Sequence, residues 1–173
     1  MIEPNKVNRK ARILVADDDW MNREVLEAHL TGAGYDVAVV HSGEKALAAV
    51  QEQPPDLVLL DVRMQGMSGY DVCQQMKSEP MTRRVCVMMV TALNRDEDMQ
   101  QAIEAGADDF ISKPISSLIL LTRVRNLLRL KQSQDALAQS QDMLRQIVRD
   151  HADEALAARI LADLDRRWGV LSG

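Results

Sequence analysis

Five short apolar runs alternate with helical patterns between Arg12 and Leu130, and that alternation leaves the chain few architectures. Arg12–Ala16 (RILVA), Asp36–Val40 (DVAVV), Leu57–Leu60 (LVLL), Val85–Val90 (VCVMMV) and Asp109–Ser112 (DFIS) are mostly aliphatic or β-branched and bounded by polar or turn residues, so each reads as a strand. Between the first two, Val25, Leu26, His29, Leu30 and Ala33 recur at helical spacing, and Gly32 and Gly34 close that helix. Ala46, Leu47 and Val50 repeat the pattern behind a Ser42 cap, and Pro54-Pro55 ends it. Val72, Cys73 and Met76 fit a third helix. Met99, Ala102, Ile103 and Ala105 fit a fourth that stops at Gly106, and the chain from Ser116 onward is helical in pattern. Strands apolar on both faces, alternating with helices, specify an α/β fold: a doubly wound parallel sheet covered on both sides.

In an open parallel sheet every strand delivers its carboxyl end to one edge, where ligands bind. The unusual residues of this chain fall at those ends. The first strand finishes in Asp17-Asp18-Asp19, the third in Asp61, the fourth in Thr91-Ala92 and the fifth in Lys113-Pro114. Singly each has an ordinary explanation: Asp19 is a good helix N-cap, Thr91 a turn residue, Lys113 a solvated charge. Together, acids, a hydroxyl and an ammonium at the ends of four strands have no structural reason to coincide.

Phosphoryl transfer to a carboxylate requires that set. Carboxylates converging within about 4 Å repel one another and need a cation between them. Oxygen ligands without His or Cys point to magnesium, with manganese as the alternative. A lysine and a hydroxyl supply further donors to the phosphoryl oxygens, and the central carboxylate, Asp61, is the nucleophile.

Charge is divided unevenly. Residues 1–115 carry 12 Lys+Arg against 19 Asp+Glu, whereas residues 116–173 carry 9 against 7. An acidic chain with 3% aromatics is poorly suited to direct nucleic-acid binding, which needs clustered Lys and Arg. Cys73 and Cys86 lie in apolar stretches without metal-ligand spacing and read as buried free thiols. No apolar run is long enough for a membrane span, and the first residues, MIEPNKVNRKAR, lack the apolar stretch of a signal peptide, so a cytoplasmic location is expected.

From about Arg12 to Leu130 the sequence resembles the receiver domains of two-component response regulators. ILVADDDW resembles their metal-binding acid pair, Asp17 and Asp18; LVLLDVRMQGMSGYDV resembles the phosphoacceptor segment around Asp61; MMVTALNR and DDFISKP resemble the segments holding the switch hydroxyl, Thr91, and the phosphate-binding Lys113. The resemblance implies a flavodoxin-like fold with strand order 2-1-3-4-5. It implies a metal site of Asp17, Asp18, Asp61 and the main-chain carbonyl of Arg63, and phosphate contacts at Thr91, Ala92 and Lys113. It further implies an aromatic switch at Phe110, a cis bond before Pro114, and tuning of dephosphorylation by Arg63 and Leu93. A sensor histidine kinase or phosphotransfer protein is the implied phosphoryl source, and the only implied chemistry is gain and loss of phosphate at Asp61. Gln65 and Ser68 depart from the family's usual proline and aspartate, which leaves the loop after Asp61 with fewer of the usual restraints.

The expected organisation is a receiver over residues 10–130 and a helical extension over 131–173. Leu118, Leu121, Val124, Leu127 and Leu128 are expected to cover the sheet. Beyond them Leu130, Leu137, Leu144 and His151 fall seven apart, with Gln134, Gln141 and Val148 four after each of the first three. That heptad points to a homodimer through the C-terminal helix. Leu156, Ile160, Leu161, Leu164 and Trp168 form a last apolar patch that either folds back or meets a partner. Receivers with a run like LLTRVRNLLRLKQ often precede cyclic-di-GMP cyclase or phosphodiesterase domains, so the chain reads as a single-domain regulator, as a piece of such a protein, or as an adaptor indifferent to phosphorylation. Other classes fit poorly. A haloacid-dehalogenase-type phosphatase wants an acid where Arg63 stands, a flavodoxin-like carrier needs a Ser/Thr-rich phosphate loop where three aspartates would repel its cofactor, and the tail has neither the turn nor the basic face of a helix-turn-helix.

Overall fold

The structure, a computed structural model, describes residues 9–92, 96–151 and 154–169. The strands are β1 (Arg12–Ala16), β2 (Asp36–Val40), β3 (Leu57–Asp61), β4 (Cys86–Thr91) and β5 (Asp109–Ser112). The helices are α1 (Trp20–Gly32), α2 (Gly43–Glu52), α3 (Gly69–Ser78), α4 (Asp96–Glu104), α5 (Ser117–His151) and α6 (Glu154–Gly169). All strand pairs are parallel and the sheet order is β2-β1-β3-β4-β5. The expected β4 is shifted by one residue, because Val85 donates to Thr82 in the preceding turn and Thr91 completes the ladder opposite Ser112.

The central strands β3 and β4 are buried throughout, as strands covered on both faces must be, while edge strand β2 is partly exposed. Two apolar clusters sandwich the sheet. Leu60, Val87 and Met89 pack with Ala46, Val72, Met76 and Ala102 of α2, α3 and α4; Leu59, Met88 and Val90 pack with Leu26, Leu30, Leu120 and Val124 of α1 and α5. Neither Cys73 nor Cys86 is in a disulfide, and both are buried, one in each cluster.

Asp19 and Ser42 cap α1 and α2 as their residue types imply. Ser68 opens α3 with a capping box shared with Asp71, so a serine serves where an aspartate was the family expectation. Five assignments to the covering faces were out of phase. Leu118 is 77% exposed and Leu120 takes the sheet-facing position two residues on, and Val25 of α1, Ala33 at its end, and Met99 and Ile103 of α4 are likewise exposed. Apolar runs such as LILL place leucines all round the helix, so periodicity leaves their phase open.

By Cα packing the chain divides into two units, one through Lys131 and one from Gln132. In the second, Arg145 of α5 reaches Asp165 of α6 at 2.7 Å. Those residues would lie about 30 Å apart on one continuous helix, so the chain reverses between α5 and α6 and the two form a hairpin. The half-buried row on this part of α5 is Asp135, Ala138, Gln141, Arg145 and Val148, with Ile160, Leu161 and Leu164 half-buried on α6. The expected heptad is therefore split: Gln141 and Val148 are half-buried, whereas Leu137 and Leu144 are exposed. The side chains of His151 and Trp168 lie outside the described residues.

Candidate functional site

The carboxyl ends of β1, β3, β4 and β5 assemble the site, and the parallel register fixes which residues meet. Pairing of Ala16 with Leu60 and of Asp61 with Val90 places Asp17 and Asp61 at neighbouring strand ends with Thr91 next in line. Beyond β5 the main-chain N–H of Lys113 donates to the Thr91 carbonyl at 2.7 Å, which extends the ladder by one residue and aims the lysine at the acids. The Lys113–Pro114 peptide bond is cis.

Lys113 Nζ donates to Asp17 Oδ2 at 2.9 Å and to Asp61 Oδ1 at 2.7 Å, bridging two carboxylates that are 1% and 5% exposed. Buried acids of this kind persist only when hydrogen-bonded and paired. Burial is the largest influence on Asp61 and pushes its carboxyl above the usual carboxylate range, with Asp17 adding to the effect, while Lys113 and the main-chain N–H of Arg63 oppose it. For Lys113, burial works against the charge, yet its bonds to Asp61 and Asp17 outweigh burial and raise the ammonium above its ordinary value.

Asp17 is held from α1 as well. Its Oδ1 accepts from the Asp19 main-chain N–H at 2.9 Å and from Asn22 Nδ2 at 3.3 Å, and Arg23 Nη1 donates to its carbonyl at 2.7 Å. Asn22 and Arg23 were not anticipated. Their only signal is position: polar groups within the first turn of a helix that follows an acid run can reach back to it. Asp18 is exposed and accepts from the Gln65 main-chain N–H at 3.3 Å.

Among the described residues, Asp17, Asp18 and Asp61 bring carboxylate oxygens within 4.8 Å of one another. One ammonium offsets only one of these charges, so the site retains an excess of negative charge for a cation to balance. The donors are all oxygen, as a hard divalent cation such as magnesium prefers.

Gly69 lets α3 start directly against this centre, since a Cβ there would collide with the Asp61 carbonyl oxygen. Thr91 is buried, whereas Ala92 and Arg63 are exposed. Phe110 is half-buried against the α2–α4 side of the sheet, and Arg123 of α5 lies 6.0 Å from its ring centroid while pairing with Asp109 at 2.6 Å. Arg123 is a second partner that the sequence did not reveal, because the contact depends on the phase of α5. Leu93 lies outside the described residues.

The sequence model of the response regulator receiver domain matches residues 13–125. The chain belongs to that family. Among curated proteins, this receiver is 46% identical over 129 residues to "Response regulator PleD" of Caulobacter vibrioides, covering 75% of the chain and 28% of the relative. It is 42% identical over 127 residues to "DNA-binding response regulator MtrA" of Mycolicibacterium smegmatis, covering 73% and 54%. The chain thus spans about a quarter to a half of these relatives' lengths. Among solved structures, a putative response regulator from Chloroflexus aurantiacus aligns with a TM-score of 0.68 at 36% identity, over 70% of this chain and 99% of that one. The receiver domain of a putative Luxo repressor protein from Vibrio parahaemolyticus aligns at 0.70 and 26%, over 75% and 98%. The five-stranded order and the long C-terminal helix are those of the flavodoxin-like receiver fold. None of the described helices is long and apolar enough to cross a membrane.

Proposed function

We propose that this receiver accepts a phosphoryl group on Asp61 from a sensor histidine kinase or phosphotransfer protein and reports the change through its C-terminal helices. The observation that carries the reading is the Lys113 bridge between the buried carboxylates of Asp17 and Asp61 at the carboxyl edge of the sheet. One oxygen of Asp61 attacks phosphorus, the donor's P–N or P–O bond breaks with its electrons leaving on the donor, and an acyl phosphate remains on Asp61. Asp17, Asp18, Asp61 and the main-chain carbonyl of Arg63 would hold magnesium, or manganese in its place. The ion supplies charge neutralisation for the phosphoryl oxygens when bound. Lys113, the Thr91 hydroxyl and the Ala92 main chain donate to the oxygens of the transferred group. Phe110 reports the movement of Thr91 by turning between packed and exposed positions, and Arg123 over its ring ties that movement to α5. Arg63 and Leu93 flank the path of the hydrolytic water and set the lifetime of the phosphate; Arg63→Ala shortens it, and an unchanged lifetime would remove this role.

The receiver (residues 10–130) and the helical extension (131–173) act as input and output in the cytoplasm. Exposed Leu137 and Leu144, which flank the half-buried row of α5, support a homodimer built from the extension. The same exposed row, present without phosphate, supports a second reading in which the extension binds a partner irrespective of Asp61. Incubation with magnesium and acetyl phosphate, followed by intact mass and sedimentation, separates them. Native protein gains one phosphoryl mass and a larger dimer fraction, and Asp61→Asn gains neither. No added mass on the native protein overturns the acceptor reading, and phosphorylation without a change in association favours the second.

A further inference from the structure

The loop that leaves Asp61 is attached on two sides, and one attachment ends on Asp18. Asp17 is fixed by Lys113, Asn22 and the Asp19 amide, but Asp18 stands exposed at the rim, where the Gln65 main-chain N–H meets its Oδ2 at 3.3 Å. A carboxylate free to rotate loses rotamer entropy when an ion fixes it. Holding one oxygen through an amide removes part of that loss before the ion arrives, as hydrogen bonds behind metal ligands commonly do.

The loop that carries this amide packs against the start of α2 on its other side. Gly66 adopts φ +81° so close to Glu44 that a Cβ would come within 2.9 Å of its Oε1, and a Cβ on Gly43 would meet the Met67 carbonyl oxygen at 2.8 Å. Polar groups of Glu44's own main chain, of Ser42 and of the Met67 main chain surround its carboxylate and keep it below the usual range. The loop from Arg63 to Ser68 is therefore clamped between the start of α2 and the acid cluster.

The geometry points to Gln65 as a positioning residue for the cation: its main-chain N–H, not its side chain, orients Asp18, and Glu44 of α2 holds the loop that carries this donor. The inference rests on the metal-binding reading above. Gln65→Pro deletes the N–H, whereas Gln65→Ala keeps it, so the two variants separate main chain from side chain. In a Trp168→Phe background the fluorescence of Trp20, next in sequence to the acid run, follows titration with magnesium chloride alone. Gln65→Pro should bind magnesium about fivefold more weakly than Gln65→Ala, the factor that corresponds to about 1 kcal/mol for one net hydrogen bond. Glu44→Ala should fall between them, and the rise in melting temperature on adding magnesium should follow the same order. Equal affinities for the proline and alanine variants would overturn the positioning role, as would parent-like affinity in Glu44→Ala if the proline variant does not fold. No magnesium response in the parent, by fluorescence or melting, would overturn the metal reading itself and the inference with it.

Discussion

The acid edge of the sheet and the hairpin beyond Gln132 solve opposite problems. At the edge, charges are buried and each must be met by a specific partner, so Asp17 alone gathers Lys113, Asn22 and two further hydrogen bonds. In the hairpin, apolar side chains such as Leu137 are exposed while Asp135, Gln141 and Arg145 are half-buried. Buried charge demands particular residue types at particular places, and that leaves a strong trace in sequence. Exposed apolar surface asks only for something apolar to cover it, and many sequences satisfy that.

The same substitution in the two regions tests the contrast most directly. Leu59→Ala, fully buried in β3, should cost about 3 kcal/mol through lost burial and a residual cavity, whereas Leu137→Ala, 58% exposed, should change stability by under about 0.5 kcal/mol. Urea unfolding of both variants measures the difference, and similar midpoints would erase the distinction. Lys113→Ala comes next. It leaves Asp17 and Asp61 without their shared cation and should cost about 2 kcal/mol in EDTA, with part of the loss recovered when magnesium is added.

The pH dependence of Asp61 sharpens the same point with its sign defined. Because its folded pKa is raised, the carboxyl favours folding below the ordinary carboxylate range and that contribution is lost as pH rises through the raised value. Asp61→Asn, unable to ionise, should therefore be more stable than native protein at pH 7 in EDTA, and the gap should close as pH falls through the carboxylate range. Melting curves at several pH values would show it, and a gap that widens in acid would contradict the burial argument. The smallest effect is expected in the hairpin. Arg145→Ala removes the exposed pair with Asp165 and should cost at most about 0.5 kcal/mol, read as a change in helical content by circular dichroism.

Much of the fold was readable in advance because strands buried on both faces must be continuously apolar; RILVA, DVAVV and DFIS match the observed strands residue for residue. The convergence of Asp17, Asp18, Asp61 and Lys113 followed from one topological fact, that parallel strands end on one edge. Helix phase was less readable. Leu118 and Leu120 are chemically equivalent in sequence, and only docking on the sheet buries one and exposes the other.

The apolar strands alternating with helices determined the parallel sheet, and the residue types at the strand ends determined the acid cluster and its lysine, since parallel strands deliver their carboxyl ends to one edge. Tertiary structure decided the contacts made by groups with no distinctive side-chain signal: the Gln65 amide on Asp18, Arg23 on the Asp17 carbonyl, Arg123 over Phe110, and the reversal that joins Arg145 to Asp165. A main-chain N–H is the same in almost every residue, and a long arginine reaches many places. Which partner each one meets is set by the packing of whole elements.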